Sequence, residues 1–274
     1  MKYKRIAKEL YENNRRRFVD QLDPNSLAVF NSNDIVTTSA DSTMPFVQHR
    51  DILHLSGVDQ EESILIIFPD CQNKKHREIL FLKETNEHIA VWEGEKLTKK
   101  AAFETSGIRT VYWLDQFPTV FKGLMSEAQN IYVNTNEHTR ANTEGESRED
   151  RFISWCKKDY PGHTYKRSAP IMHRIRSVKH PLEIELMQHA CNLTEKAFRR
   201  IMNFLKPGVW EYEIEAEIMH EFLRNRSRGF AYTPIIASGA NACVLHYIEN
   251  NQQCKDGDVI LFDWAAEYAN YASD

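Results

Sequence analysis

The sequence lacks the features that mark secreted, membrane or nucleic-acid-binding proteins. Its 274 residues contain five cysteines and no Cys-x-x-Cys pair, and an odd number in so long a chain argues against a disulfide framework. No apolar run approaches the roughly 20 residues needed to span a bilayer, and no signal-peptide core follows the basic N-terminus. The formal net charge of −4 favours no nucleic-acid partner. We therefore expect a cytoplasmic protein without membrane association.

What the sequence does contain is enough apolar material for a sizeable core, with 42% hydrophobic and 27% charged residues. In the first part, short apolar runs of strand length are separated by helical patterns at 96–105 and 117–126, which predicts a mixed α/β domain. The predicted strands are 27–30, 63–68, 79–82, 110–114 and 130–133.

Two polar segments mark the limits of this first part. Residues 1–21 have the apolar spacing of an amphipathic helix, and the run of three arginines that begins at Arg15 either faces solvent or forms an anion site. The polar stretch 138–151 predicts a surface loop or the exposed start of the next helix. A domain boundary is expected near Pro170, giving domains of residues 1–170 and 171–274.

The second part begins with a long helical pattern. Apolar residues recur at three- and four-residue steps over 181–205, which predicts one helix with an apolar stripe. Pro181 suits its first turn and Pro207-Gly208 ends it. A second helix carries Ile214 and Ile218 on one face, and strands are predicted at 233–237, 244–248 and 259–262.

Two aspartates follow the last of these strands. Asp263 ends it, and a hairpin centred on the 268/269 bond would place Asp263 directly opposite Asp274, with Cβ atoms about 5 Å apart. Two ionised carboxylates at that distance repel by roughly 3 kcal/mol at an effective dielectric near 20. Either one is protonated or a divalent cation lies between them. The alternative is that Asp263 only ends a strand and Asp274 is exposed, because the spacing alone is a weak signal.

His246 is the second candidate, in the predicted apolar strand 244–248. It is either a satisfied core residue, which is the commoner case, or a site residue that moves a proton or contacts substrate. A turn at Gly239 and Asn241 would bring this strand beside the one that carries Asp263.

In combination, these segments resemble the catalytic domain of Xaa-Pro aminopeptidases (aminopeptidase P). The order is a long helix, Gly-Val-x-Glu, a second helix, SGANACVLHYIEN, DGDVILFD and YASD. Residues 39–63, SADSTMPFVQHRDILHLSGVDQEES, resemble the N-terminal domain shared with creatinase and prolidase. The resemblance implies an α/β N-terminal domain of that type followed by the first half of an α+β pita-bread catalytic domain.

The resemblance also implies an activity, namely metal-dependent release of the N-terminal residue from peptides with proline in the second position. Asp263 matches the first ligand of a pair of divalent ions, with manganese expected, and Asp274 matches the second, which bridges both ions. His246 matches a histidine that holds the substrate or moves a proton. Asp41 matches an aspartate that in oligomeric relatives reaches a neighbouring subunit's site, so a homodimer or homotetramer is expected.

The sequence departs from the family pattern at two places. Trp264 stands where the family usually has a small residue, so it either narrows the site or packs beside it. The family's site also needs one histidine and two glutamates from strands after the second aspartate. Because the sequence stops at Asp274, we expect a chain cut within its catalytic domain and inactive as residues 1–274.

Three other functions are compatible with parts of this pattern. A prolidase would cleave dipeptides only. Creatinase shares the fold but uses no metal, and the paired aspartates argue against it. Some pita-bread proteins bind peptides without cleaving them, so a non-catalytic peptide-binding module is the alternative from a different class.

Overall fold

A computed structural model describes residues 3–140 and 145–274 and divides into two compact units. The N-terminal unit comprises residues 6–178. The C-terminal unit comprises residues 179–274 together with residues 3–5. None of the helices among the described residues is both long and apolar enough to cross a membrane.

A mixed sheet forms the centre of the N-terminal unit. The strands of this unit are β1 (Ser26–Asn31), β2 (Thr37–Ser39), β3 (Ser42–Thr43), β4 (Ile64–Ile67), β5 (Glu78–Leu82), β6 (Thr110–Trp113), β7 (Asn130–Val133) and β8 (Thr164–Arg167). Six of them form the sheet in the order β6-β5-β4-β1-β7-β8, and β2 pairs with β3 in a separate hairpin. Strand β1 is antiparallel to β4 and parallel to β7. All five strands predicted in this part are confirmed.

Helices cover both faces of this sheet. They are α1 (Glu9–Val19), α2 (Arg50–Ser56), α3 (Glu87–Glu93), α4 (Lys99–Ser106), α5 (Phe117–Met125), α6 (Arg148–Asp159) and α7 (Ala169–Ser177), with short 3-10 helices at Lys74–His76 and Leu114–Gln116. Alternate residues of β1 enter different cores. Ala28 and Phe30 pack with residues of α1, α2, α4 and α7, whereas Leu27 and Val29 pack with residues of α5 and α6. A strand buried on both faces reads as a continuous apolar run, which is why the sequence revealed it.

The structure differs from the expected limits of this unit at both ends. Helix α1 begins at Glu9 rather than at residue 1, and residues 1 and 2 lie outside the described part of the chain. Near the other end, Met172 of α7 is fully buried in the same core as Phe18. The compact unit therefore runs to Val178, whereas the sequence suggested a boundary near Pro170.

The polar stretch 138–151 leads into α6. Residues 141–144 of this prediction lie outside the described residues, and α6 begins at Arg148. Ser147 caps it by accepting a hydrogen bond from the Asp150 backbone N–H. In the first turn, Glu149 is buried and accepts hydrogen bonds from the backbone N–H and the side-chain amide of Asn31, at 2.9 and 2.8 Å.

The C-terminal unit packs two helices against small sheets. Its elements are α8 (Pro181–Phe204), α9 (Glu211–Arg224), β9 (Gly229–Phe230), β10 (Ile235–Ser238), a 3-10 helix at Gly239–Cys243, β11 (Ile260–Asp263), β12 (Ala266–Tyr268) and β13 (Tyr271–Ala272). Strand β10 is antiparallel to β11, and the three-stranded sheet has the order β13-β12-β9. The predicted stripe is confirmed, since Leu193 and Ile201 of α8 and Ile218 of α9 are buried.

Residues 3–5 form a short strap on the C-terminal unit. The Tyr3 side chain is buried, and its ring meets that of Tyr268 edge to face, with centroids 6.3 Å apart. The Lys4 backbone N–H donates to the Tyr268 hydroxyl at 3.4 Å. The strap therefore rests on the strand β12, whose hairpin leads to Asp274.

Candidate metal centre

Asp263 is held at the end of β11 by an interrupted ladder. On one side of the interruption, Asp263 pairs with Ile235 of β10. On the other side, β12 pairs with β9, and the Ala231 N–H donates to the Ala265 carbonyl. Between these ladders, residues 232–234 stand opposite Trp264 alone. Pro234 lacks a backbone N–H and cannot continue the ladder, so the chain bulges at this point and Tyr232 lies beside Asp263.

Asp274 is positioned by the β12–β13 hairpin and by helix α8. Its neighbour Ser273 donates its backbone N–H to the Ala266 carbonyl at 3.1 Å. The Ser273 hydroxyl lies 2.8 Å from the hydroxyl of Thr194 on α8. These contacts fix the backbone one residue before Asp274.

The predicted pairing of Asp263 directly opposite Asp274 is wrong. Tyr268 pairs with Tyr271, so the hairpin turns at Ala269 and Asn270, both with positive φ (53° and 68°). This two-residue turn suits the twist of antiparallel strands. It shifts the centre of the hairpin by one residue from the expected position, and Asp263 pairs with a different strand.

The two carboxylates nevertheless meet at one hydroxyl group. The Tyr232 Oη lies 2.7 Å from Asp263 Oδ1 and 3.0 Å from Asp274 Oδ2, within hydrogen-bond range of both. The carboxylate oxygens are therefore no more than two hydrogen-bond lengths apart. Both aspartates are exposed, so an ion from solvent has access to them.

Electrostatics at this point favour a cation. Burial, followed by the hydrogen bonds to Asp263 and Asp274, raises the pKa of the Tyr232 hydroxyl, which therefore remains a protonated donor. A hydroxyl has one proton, so it cannot fully satisfy two carboxylates at once. Carboxylate oxygens are also the ligands that hard divalent cations prefer. The donor set fits such an ion but is small, because among the described residues no group of three or more His, Cys, Asp or Glu side chains could hold a metal.

The prediction of a strand around His246 is wrong. Residues 244–249 form an irregular segment with a turn at Leu245 and His246, and the imidazole is exposed. The apolar side chains that suggested a strand are largely exposed as well, including Leu245 at 86%. Tyr247 is instead buried, and its hydroxyl donates to Glu211 at 2.7 Å. This contact with another element holds the segment in place of a strand ladder.

Two further sequence candidates have clear local settings. Trp264 is buried, with its ring centroid 6.0 Å from that of Phe222 and 6.4 Å from that of Phe262. Of the two roles expected for Trp264, these ring contacts favour packing beside the candidate metal centre over narrowing it. Asp41 lies exposed in the turn between β2 and β3, directly after Ala40, whose φ is +47°.

Tyr232 is the residue at this centre that sequence reasoning missed. It lies 31 residues before Asp263 in the chain, and nothing in its local pattern signals a carboxylate partner. The nearby Pro234 signals an interruption of a strand, which is the one feature that could have directed attention to this position.

Two family models match the chain. Residues 11–132 match "Aminopeptidase P, N-terminal domain", and residues 185–274 match "Metallopeptidase family M24". The predicted fold class, an α/β N-terminal domain followed by pita-bread catalytic sequence, is confirmed by these matches.

Individual relatives agree with the family models. The Xaa-Pro aminopeptidase of Escherichia coli is 30% identical over 270 residues, which cover 98% of this chain and 61% of the relative. The structure of E. coli aminopeptidase P in a low-pH form is similar with a TM-score of 0.87 at 28% identity, over 99% of this chain and 62% of that one. A zinc-substituted form in complex with product gives 0.84 at 28% identity, over 98% and 61%. The chain thus spans about 60% of the length of these relatives.

Proposed function

We propose that this chain, which belongs to metallopeptidase family M24 and carries an aminopeptidase P-type N-terminal domain, acts in a metal-dependent aminopeptidase. The full-length protein would release the N-terminal residue from peptides that have proline in the second position. The similarity to an Xaa-Pro aminopeptidase over 98% of the chain supports this activity.

The observation that carries the proposal is the meeting of Asp263 and Asp274 at the Tyr232 hydroxyl. In the proposal, both carboxylates bind a pair of divalent ions, manganese being the expected metal. When bound there, such ions would activate water and polarise the scissile carbonyl. The similar zinc-substituted aminopeptidase P supports divalent binding in general.

The other proposed roles belong to residues outside this pair. The exposed imidazole of His246 would contact the substrate and donate a hydrogen bond or a proton at the scissile nitrogen.

Asp41 would contact a substrate held by a neighbouring subunit. A homodimer or homotetramer is proposed accordingly, and the exposed apolar residues Val36 and Met44 on the same hairpin region support an interface there. Light scattering coupled to size-exclusion chromatography would test it, and a monomer would refute it.

The activity is tested with full-length protein and two substrates, an Xaa-Pro-Xaa tripeptide and an Xaa-Pro dipeptide. Release of the first residue from the tripeptide should stop on chelation, return with manganese, and be abolished by Asp263→Asn. Asp256→Asn is the matched control, because it removes the same charge from an exposed turn of the same unit. Activity that survives both chelation and Asp263→Asn would refute the proposal. Cleavage of the dipeptide alone would identify a prolidase.

Residues 1–274 alone are expected to show no turnover and to bind manganese weakly, because two carboxylates make a poor site for a divalent ion. Titration calorimetry measures this affinity, and tight stoichiometric binding would contradict the expectation.

We also propose a cytoplasmic location, which the five free cysteines support. Cell fractionation that finds the protein outside the cytoplasm would refute it.

A further inference from the structure

Glu211, the first residue of α9, has an unusual environment for a carboxylate. Its side chain is fully buried and accepts four hydrogen bonds. Oε1 accepts from the backbone N–H of Ser238 at 2.6 Å and from its hydroxyl at 2.7 Å. Oε2 accepts from the Tyr247 hydroxyl at 2.7 Å and from the Gln252 N–H at 2.9 Å. The helix N-terminus adds favourable partial charge, so the buried carboxylate is compensated on every side.

The four donors come from two different segments. Ser238 ends β10, the strand that pairs with β11 and so fixes Asp263. Tyr247 belongs to the irregular segment that carries His246, and Gln252 follows that segment in the chain. The Glu211 carboxylate therefore links the β10–β11 strand pair, which carries Asp263, to the segment that carries His246.

The segment around His246 has few other anchors. Among the described residues 243–249, Tyr247 is the one buried side chain. Asn250 provides a separate anchor further along, because its Oδ1 accepts from the Ile236 N–H at 3.0 Å. Between the 3-10 helix and Asn250, the backbone position of His246 thus depends on where the Tyr247 ring is held.

We propose that Glu211 is a positioning residue, which holds His246 in place relative to Asp263 through the Tyr247 hydroxyl and makes no contact with substrate. This inference rests on the proposed role of His246. Its first test, however, measures the segment itself and does not depend on activity.

Hydrogen–deuterium exchange on residues 1–274 provides that test. Tyr247→Phe removes the hydroxyl, with its bond to Glu211 and its weaker contacts with Asn251 at 3.2 Å, but leaves the bonds from Ser238 and Gln252 to Glu211. Amide exchange at Val244, whose backbone N–H donates to the Asn241 carbonyl at 2.9 Å, should rise about tenfold to a hundredfold, as expected for loss of a hydrogen bond to a charged acceptor. Exchange in β10 and β11 should stay unchanged. Unchanged exchange at Val244 would overturn the proposal.

The second test uses full-length protein. Glu211→Gln keeps one acceptor oxygen and turns its NH2 group against the backbone N–H of either Ser238 or Gln252, so it should loosen the link between the two segments. The matched control is Glu213→Gln, because Glu213 lies in the same helical turn and accepts from the backbone N–H of Trp210 at the exposed helix start. Both link variants should lower kcat about tenfold or more with little change in KM, and the double variant should be no worse than Glu211→Gln.

The outcomes distinguish the two hypotheses. Full-length wild-type protein without Xaa-Pro activity would refute the proposed function, while the exchange result would still decide whether Glu211 positions the segment. Additive losses in the double variant, or an equal loss in Glu213→Gln, would refute the coupling of Glu211 to His246 through Tyr247.

Discussion

Replacing Asp263 by Asn is expected to stabilise the metal-free protein and to remove its response to divalent ions. Two hydrogen bonds that meet at one hydroxyl oxygen separate their acceptors by about 4.5 Å. Two unit charges at that distance repel by roughly 1 kcal/mol in water and roughly 4 kcal/mol at an effective dielectric of 20. Since Asp263 and Asp274 are both exposed, the lower figure applies. About 1 kcal/mol corresponds to a rise of about 2–4 °C in melting temperature for a domain of about 150–250 residues, and to a smaller rise for a longer chain.

The assay is thermal unfolding of the full-length protein and of its variants, first with a chelator and then with manganese. Wild-type protein should gain stability as manganese is added, by about 2.7 kcal/mol when the ion is at a hundred times its dissociation constant. Asp263→Asn should start higher than wild type and gain nothing, and Asp274→Asn should behave in the same way. Asp256→Asn controls for loss of a surface charge. A lower melting temperature for chelated Asp263→Asn than for this control would refute the repulsion argument.

Three further substitutions have expected outcomes. Tyr232→Phe should weaken manganese binding by full-length protein about tenfold in calorimetry, because Asp263 and Asp274 lose the hydroxyl that orients them. Tyr271→Phe is the control and should leave manganese binding unchanged, because the Tyr271 hydroxyl donates to Glu183 and not to either aspartate. Burial raises the pKa of Glu149 from 4.5 to about 8, so the folded state holds this proton more tightly than the unfolded state. The stability that this proton contributes is full below pH 4.5 and is lost as the pH rises towards 8, and each tenfold preference of the folded state for the proton is worth about 1.4 kcal/mol. Glu149→Gln should flatten this part of the pH profile of unfolding free energy in denaturant titrations. An unchanged slope would contradict this expectation. Gly57→Ala should destabilise the protein by about 1–3 kcal/mol more than Gly94→Ala. Both glycines have positive φ, but a Cβ at position 57 would lie 2.3 Å from the buried ring of Tyr11, whereas nothing lies within 4 Å of a Cβ at position 94. Equal losses of unfolding free energy in chemical denaturation would refute the predicted clash.

Elements whose burial follows a local period could be predicted from the sequence. The stripe of α8 repeats at helical spacing, and the central strands are apolar runs bounded by turn residues. Asp263 was found because it directly follows such a run. In each case the pattern within a dozen residues is sufficient, because the same face or the whole element is buried against the core.

Features that depend on distant partners could not be predicted. Arg15 was expected to face solvent or bind an anion, yet it is buried, and its Nη1 donates to the Leu55 carbonyl at 2.8 Å. The segment of His246 has strand-like composition, but its one buried side chain bonds Glu211, 36 residues earlier. The hairpin turn at Asn270 lacks the glycine that usually marks two-residue turns, so the register was placed one residue too early.

The strap of residues 3–5 has a consequence for how the chain is made and dissected. Tyr3 is synthesised long before Tyr268, the residue against which it packs. The N-terminal unit can fold in between, so closure of the C-terminal unit is a late and non-local step in synthesis. A fragment that starts at Lys179 would leave a tyrosine-sized patch of the β12–β13 hairpin uncovered, and grafting the first five residues onto that fragment through a flexible linker should restore its melting temperature.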